Sequence, residues 1–398
     1  MAFSFLTALP LVVCLVMTAE LLLSCRRGCP SPLRWLTAWS GAATLLYAGH
    51  YAYFHRALSL MPFSDTVYAA CNLAVYPLYI LYISEHTDLR PLSSRRWAVS
   101  LLLLPSAVAL IVVGTVYALM TPDAQTLFVV RYLYGGTGDG LAGLPLVQAW
   151  VHSCCHAVFA VEVVAVLAAG VMKLRRYNNM VDSYFADTDD KRLTHLTTTL
   201  VWFVLVSAAS IVANYLGRES FTASATLLAV PSLLFSALLF FIGWTGRQPH
   251  TLLRDMLPSA TDGPDAASDQ CTDIATQCAA DESTAGEENQ PATAADSTLG
   301  EQLQRLMTDE QLYLQHDLRL DQVAQRLATN RTYLLRTLQK EFGMTFKEYI
   351  NQMRIAHADR LMEADPSLPK SEVAIMSGYN TTSSFYRNYR QYHKPDTP

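Results

Sequence analysis

Charge is what this chain has least of. Only 16% of its 398 residues are charged, against about 25% in ordinary globular domains. Long stretches before residue 250 carry almost none, which argues against one soluble core. No Lys or Arg occurs between Arg254 and Arg305. The eight cysteines (14, 25, 29, 71, 154, 155, 271, 278) show no regular disulfide framework. Most lie in or beside apolar runs, where Cys behaves as a small hydrophobe. No phosphate loop, nucleophile elbow or zinc-hydrolase signature is present, so no enzyme and no cofactor are expected.

What is abundant is apolar length. Seven runs reach the roughly 20 residues that a helix needs to cross a hydrocarbon core: about 3–23, 35–54, 66–84, 97–120, 149–172, 196–216 and 221–244. Pro77, Pro105 and Pro231 interrupt them, as membrane helices tolerate. Trp35, Trp39, Tyr51, Tyr53, Trp97, Trp150 and Trp244 gather near the ends, where aromatic rings meet the interface. Alternate loops differ in basic charge. Arg26, Arg27, Arg34, Arg90, Arg95, Arg96, Lys173, Arg175, Arg176, Lys191 and Arg192 lie on one side, and only Arg56, Arg131 and Arg218 on the other. The basic side is expected to be cytoplasmic, with the N-terminus outside and the C-terminus inside. Leu22-Leu23-Ser24-Cys25 has the outline of a lipoprotein cleavage box, but no positive n-region precedes it, and cleavage would leave Arg26 and Arg27 outside. Seven spans are therefore retained.

Polar groups inside the spans are costly. Glu162 lies in the fifth span, and His152 and His156 share a face of it, with Cys155 beside them and His50 on the second span. A His-x-x-x-His pair can hold a metal, but a closed site needs further ligands. Hydrogen bonding inside the bundle is the preferred account, and it extends to Glu20, Asp65, Asn72 and Asn214. The Gly-Asp-Gly within 134–140 lacks the oxygen spacing of a calcium loop and reads as a turn.

From Pro258 to Gly300 the chain is rich in Ala, Thr and Ser, with nine acidic residues. No apolar period survives, so a disordered linker is expected. The helical period returns after Leu303. Leu320, Val323, Ala324 and Leu327 line one face of a short helix; Tyr333, Leu334, Leu338 and Phe342 mark a second, which Gly343 ends. Ala324 is small enough for two helices to cross closely. A long helix runs from Phe346 through Leu361. The device then recurs, with a short helix over Val373-Ala374-Ile375-Met376, a turn at Gly378-Tyr379, and a helix from Ser383 to Tyr392. Leu320, Val323, Leu327, Leu338, Ile355 and Phe385 are expected in the core. The fold class is all-α: a seven-helix transmembrane bundle over 1–250, a linker over 258–300, and a domain over 301–398 with two helix-turn-helix units joined by a long helix.

These residues resemble the AraC/XylS family of transcription regulators. The resemblance runs through Leu-x-x-Val-Ala-x-x-Leu, Tyr333-Leu334-x-Arg336, Phe342-Gly343-Met-Thr-Phe346, Tyr349-Ile350-Asn351-x-x-Arg354-Ile355, Ala374-x-x-x-Gly378-Tyr379 and Ser383-Ser384-Phe385-Tyr386-Arg387. It covers about 303–394 and leaves the apolar part aside. It implies that the second helix of each unit enters a major groove of double-stranded DNA, the two lying about one turn (~34 Å) apart. The implied DNA-binding residues are Arg331, Thr332, Arg336, Gln339 and Lys340 in the first reader. In the second they are Thr381, Thr382, Ser384, Arg387, Asn388 and Arg390, with Lys394 as an addition. Their chemistry suits bases and phosphates. From Glu301 onward 13 Lys and Arg face 12 Asp and Glu, so affinity rests on the placement of charge. The chain reads Tyr392-His-Lys-Pro-Asp-Thr-Pro398 where the family continues with a Gly-x-x-Pro-x-x-Tyr-Arg-like closing helix, and that weakens the expectation for the second reader. The expected protein is a regulator in a bacterial inner membrane, with DNA, lipid, a signal ligand and a second copy of itself as partners. The alternative is a membrane sensor or scaffold whose C-terminal domain docks a protein.

Overall fold

The computed structural model describes residues 2–25, 29–136, 138–188, 191–194, 196–203, 205, 225–246 and 295–393. They are helical, and the one extended feature among them is an isolated antiparallel bridge between Phe185 and Arg319. The chain divides into two units, Met1–Leu174 with Thr194–Ala267, and Arg175–Leu193 with Ser268–Pro398.

The first unit contains α1 (Ala2–Cys25), α2 (Ser31–Phe54), α3 (Met61–Thr87), α4 (Arg96–Leu119) and the short α5 (Pro122–Phe128). It also holds most of α6 (Leu144–Tyr184) and α7 (Ala225–Gly246). Helix α2 packs against α1 and α3, α3 against α4, and α1 against α7. The centre belongs to α3, buried without a break from Tyr76 through Thr87. The outside is apolar: Leu101, Leu104, Val108 and Ile111 on α4, and Val161 and Val164 on α6, are exposed.

Five described helices are long and apolar enough to cross a membrane: Phe3–Cys25, Leu58–Thr87, Arg96–Leu119, Leu144–Tyr184 and Ala229–Gly246. The second expected span is present as α2, but its Trp, Tyr, His and Ser residues lower its hydropathy below that of the five. Of the sixth expected span, 196–203 and 205 are described and helical, and the rest lies outside the described residues. Asn214 and the acidic stretch up to residue 294 also lie outside them.

Cys25, the last residue of α1, forms a disulfide with Cys29.

The second unit adds α8 (Ala295–Asp309), α9 (Leu320–Arg326), α10 (Arg331–Thr337), which continues more loosely wound to Phe342, α11 (Phe346–Ala364), α12 (Lys370–Met376) and α13 (Thr382–Tyr392). Helix α8 begins within the stretch read as linker. Leu303 and Met307, four apart on one face, are buried there against Leu320, Val323, Leu334 and Leu338. A second cluster gathers Ile355, Ala358, Val373, Ala374, Tyr379 and Phe385. Helix α11 feeds both, with Phe346, Tyr349 and Ile350 in the first and Ile355 and Ala358 in the second. Of the six expected core residues five are buried, and Leu327 packs at the edge.

Candidate DNA-binding surface

The turns of the two helix-turn-helix units share one pattern of backbone hydrogen bonds. In the first turn Leu327 N–H donates to the Val323 carbonyl (3.1 Å), Ala328 to Gln325 (3.1 Å) and Thr329 to Ala324 (2.9 Å). In the second, Ser377 donates to Val373 (2.9 Å), Gly378 to Ile375 (3.0 Å) and Tyr379 to Ala374 (3.1 Å). Both turns place one residue in the left-handed region, Ala328 at φ 50° and Gly378 at φ 84°. Glycine is needed at the second, because a Cβ there would lie 2.8 Å from the Leu314 carbonyl oxygen. Ala324 and Ala374 are buried at the crossings.

Each reader helix begins with a side-chain cap. Asn330 Oδ1 accepts from Tyr333 N–H (2.9 Å), and Thr381 Oγ1 from Ser384 N–H (3.1 Å). These bonds satisfy amides that the helix itself cannot reach. Helix α11 carries a full capping box: Thr345 Oγ1 accepts from Glu348 N–H, and Glu348 accepts from Thr345 N–H at 2.8 Å. Arg354, fully buried on α11, fixes the loop before α9 by donating to the carbonyls of Tyr313 and Gln315, both at 2.7 Å. Its guanidinium also lies over the Tyr379 ring, 5.3 Å from the centroid. This one residue therefore ties the first unit to the second.

The expected DNA-binding residues divide by exposure. Thr332, Arg336, Gln339 and Lys340 are exposed on the first reader, and Arg387 and Arg390 on the second. Arg331 is half-buried, 4.0 Å from the Asp321 carboxylate, with its guanidinium over the Tyr184 ring. Thr382 is half-buried, Thr381 serves as the cap, and Asn388 donates to the Ser384 carbonyl (3.0 Å). Ser384 is buried, and its hydroxyl donates to Asp187 Oδ1 at 3.1 Å. Tyr333 and Tyr386, whose aromatic rings suggest core, are exposed on the readers instead. Asp187 escapes sequence reasoning because it lies 197 residues from Ser384. The available signal is the spacing of Tyr177, Val181 and Tyr184, all buried, which continues a helical face past the basic residues that close the fifth span.

In the first unit some of the polar groups on the apolar helices meet and one does not. His152 Nε2 and the Tyr117 hydroxyl meet the same Asp65 Oδ2, each at 2.7 Å, and His152 Nδ1 lies 2.9 Å from the Gln148 carbonyl. No group of three or more His, Cys, Asp or Glu suited to a metal occurs among the described residues; the second weak candidate, His156, has a contact of its own. Glu162 has both carboxylate oxygens shielded without a hydrogen-bond partner among the described residues.

Residues 323–394 match a family model described as a helix-turn-helix domain. The chain is 29% identical over 75 residues to the Msm operon regulatory protein of Streptococcus mutans, covering 19% of this chain and 27% of that protein. It is 30% identical over 76 residues to the melibiose operon regulatory protein of Escherichia coli, covering 19% and 24%. The chain thus spans about a quarter of the length of these curated relatives. No solved structure matches it. With two turns of one hydrogen-bond pattern, two capped reader helices and one connecting helix, the C-terminal domain is an AraC-type helix-turn-helix domain.

Proposed function

We propose that the chain is a membrane-anchored, sequence-specific DNA-binding transcription regulator that senses a signal through its apolar unit. The carrying observation is the doubled turn, with Arg336 and Arg387 exposed at matching places on two reader helices. Arginine there can pair bidentately with guanine or hold a phosphate. Five long apolar helices with uncovered apolar faces support anchoring in a bilayer. The basic loops support a cytoplasmic C-terminus, N-terminus outside, in a bacterial inner membrane. Dimerisation and a signal ligand remain part of this reading.

The alternative, a domain that docks protein rather than DNA, draws on one observation: Ser384 and Arg331 already contact residues from outside the helix-turn-helix units. Chromosomal sites cross-linked to the full-length chain separate the two. Discrete promoter-proximal sites support regulation. Their absence, together with cross-links confined to proteins, supports docking.

A further inference from the structure

Helix α6 is too long for a bilayer. Its 41 residues extend about 62 Å at 1.5 Å per residue, twice the roughly 30 Å of a hydrocarbon core. Lys173, Arg175 and Arg176 mark where the apolar stretch ends. The turns beyond them, with the following loop to Leu193, belong to the same unit as the helix-turn-helix domain.

There this segment is built into the domain. Ala186 N–H donates to the Leu318 carbonyl (3.2 Å), and its own carbonyl accepts from Asn351 Nδ2 (3.2 Å). Ala186 is part of the first helix-turn-helix core. Lys347 Nζ reaches Asp182 Oδ1 (3.3 Å) and Thr188 Oγ1 (2.8 Å). Lys191 Nζ pairs with Asp317 Oδ1 at 2.5 Å. Tyr184 covers Arg331, its hydroxyl 3.4 Å from Nη1. Asp187, itself buried, sits at the start of the second reader, where its carboxylate accepts from Asn380 N–H (3.3 Å) and the Ser384 hydroxyl (3.1 Å).

Those donors have a common chemistry. A backbone N–H and a hydroxyl at the amino end of a helix are donors of the kind that hold an anion there. In a helix-turn-helix the same end of the reader approaches DNA. Arg331 and Lys347 are cations of the kind that hold phosphates. Burial disfavours the charge of Arg354, and the carboxylates of Asp187 and Asp317 act against that effect.

We infer that residues 182–188 are an autoinhibitory strap, in which Asp187 stands where a DNA phosphate binds and Asp182 and Tyr184 hold Lys347 and Arg331 away from DNA. The strap is the direct continuation of a candidate membrane span, so a shift of that helix along its axis withdraws it. The inference rests on the DNA-binding reading above and adds that the docked domain is the repressed form.

The test uses the full-length chain in lipid nanodiscs and a fluorescent 40-base-pair duplex of random sequence. Apparent affinity equals intrinsic affinity scaled by the fraction of chains with the strap released. D187N and the double variant D182N/D187N are expected to bind about tenfold or more tightly than the unsubstituted chain. In the unsubstituted chain, which needs no substitution to stay folded, saturating duplex is expected to raise amide hydrogen exchange across 185–188. Equal or weaker binding by the variants, or unchanged exchange in 185–188 with duplex bound, overturns the strap and leaves DNA binding standing. No binding by any of the three chains overturns the DNA-binding reading, and the strap with it.

Discussion

Exchanging the residues at the two left-handed turn positions, Gly378 and Ala328, perturbs equivalent points of the repeat in opposite directions. In G378A the new Cβ must adopt φ 84° and lie 2.8–2.9 Å from the carbonyl oxygen, carbonyl carbon and Cα of Leu314. These are backbone atoms and cannot swing aside. Left-handed strain costs about 1–2 kcal/mol, and forcing atoms into a packed site typically costs about 1–3 kcal/mol more. The second unit should therefore lose roughly 2–5 kcal/mol. In A328G the strain at φ 50° is relieved, while the freer unfolded chain returns about 0.4–1 kcal/mol. A net gain of roughly 0.5–1 kcal/mol is left. The described C-terminal residues contain no Trp, so fluorescence does not report on them. Amide hydrogen exchange of Val373–Tyr379 and Leu320–Ala324 in the full-length chain reads the opening free energies directly. Equal protection in G378A, or effects of the same sign for both substitutions, would refute the equivalence of the two turns.

Further expectations concern charge. R336A and R387A should each weaken duplex binding and lower its salt slope by about one if the arginine contacts phosphate; an unchanged slope in both, with unchanged affinity, contradicts the exposed-reader account. At Asp317, burial works against ionisation. Hydrogen bonds from Lys191 and Asn380, and the charges of Lys191 and His316, outweigh it and hold the carboxyl below its ordinary value. A depressed carboxyl contributes stability that is complete above about pH 4 and is lost as pH falls through the lowered value. Amide exchange at 185–188, corrected for its intrinsic pH dependence, should rise only below about pH 4, and loss of protection on going from pH 5 to 8 would contradict this sign. D65N replaces an acceptor shared by His152 and Tyr117 at 2.7 Å each. Weakening or losing such buried bonds costs about 1–3 kcal/mol per unsatisfied group, so the first unit should unfold at lower denaturant while duplex binding by the second is retained.

The helices of both units were legible because each rests on local pattern: apolar length for the spans, and the i, i+3, i+4 period with a glycine stop for the readers. Gly343 ends its helix at φ 65°, as its position between two apolar periods implies. The double turn was legible because the same residue types recur about 50 positions apart. What local pattern could not carry is partnership over long separations. Ser384 has the composition of a reader residue, yet it is buried because Asp187 reaches it from the end of α6. Hydropathy marks the end of a span at Lys173 but is silent on whether the helix continues, and α6 runs eleven residues further to Tyr184. Arg354 is visible in the motif, though its donation to two loop carbonyls depends on how 313–315 folds back.

The central claim is that two equivalent readers, joined by one helix, address DNA as a pair. Selection of duplexes from a random pool by the full-length chain in nanodiscs tests it most directly. The account predicts a motif of two half-sites about 10–10.5 base pairs apart, with R336A erasing one half and R387A the other. A pool without enrichment, or a motif that neither substitution alters, would contradict it.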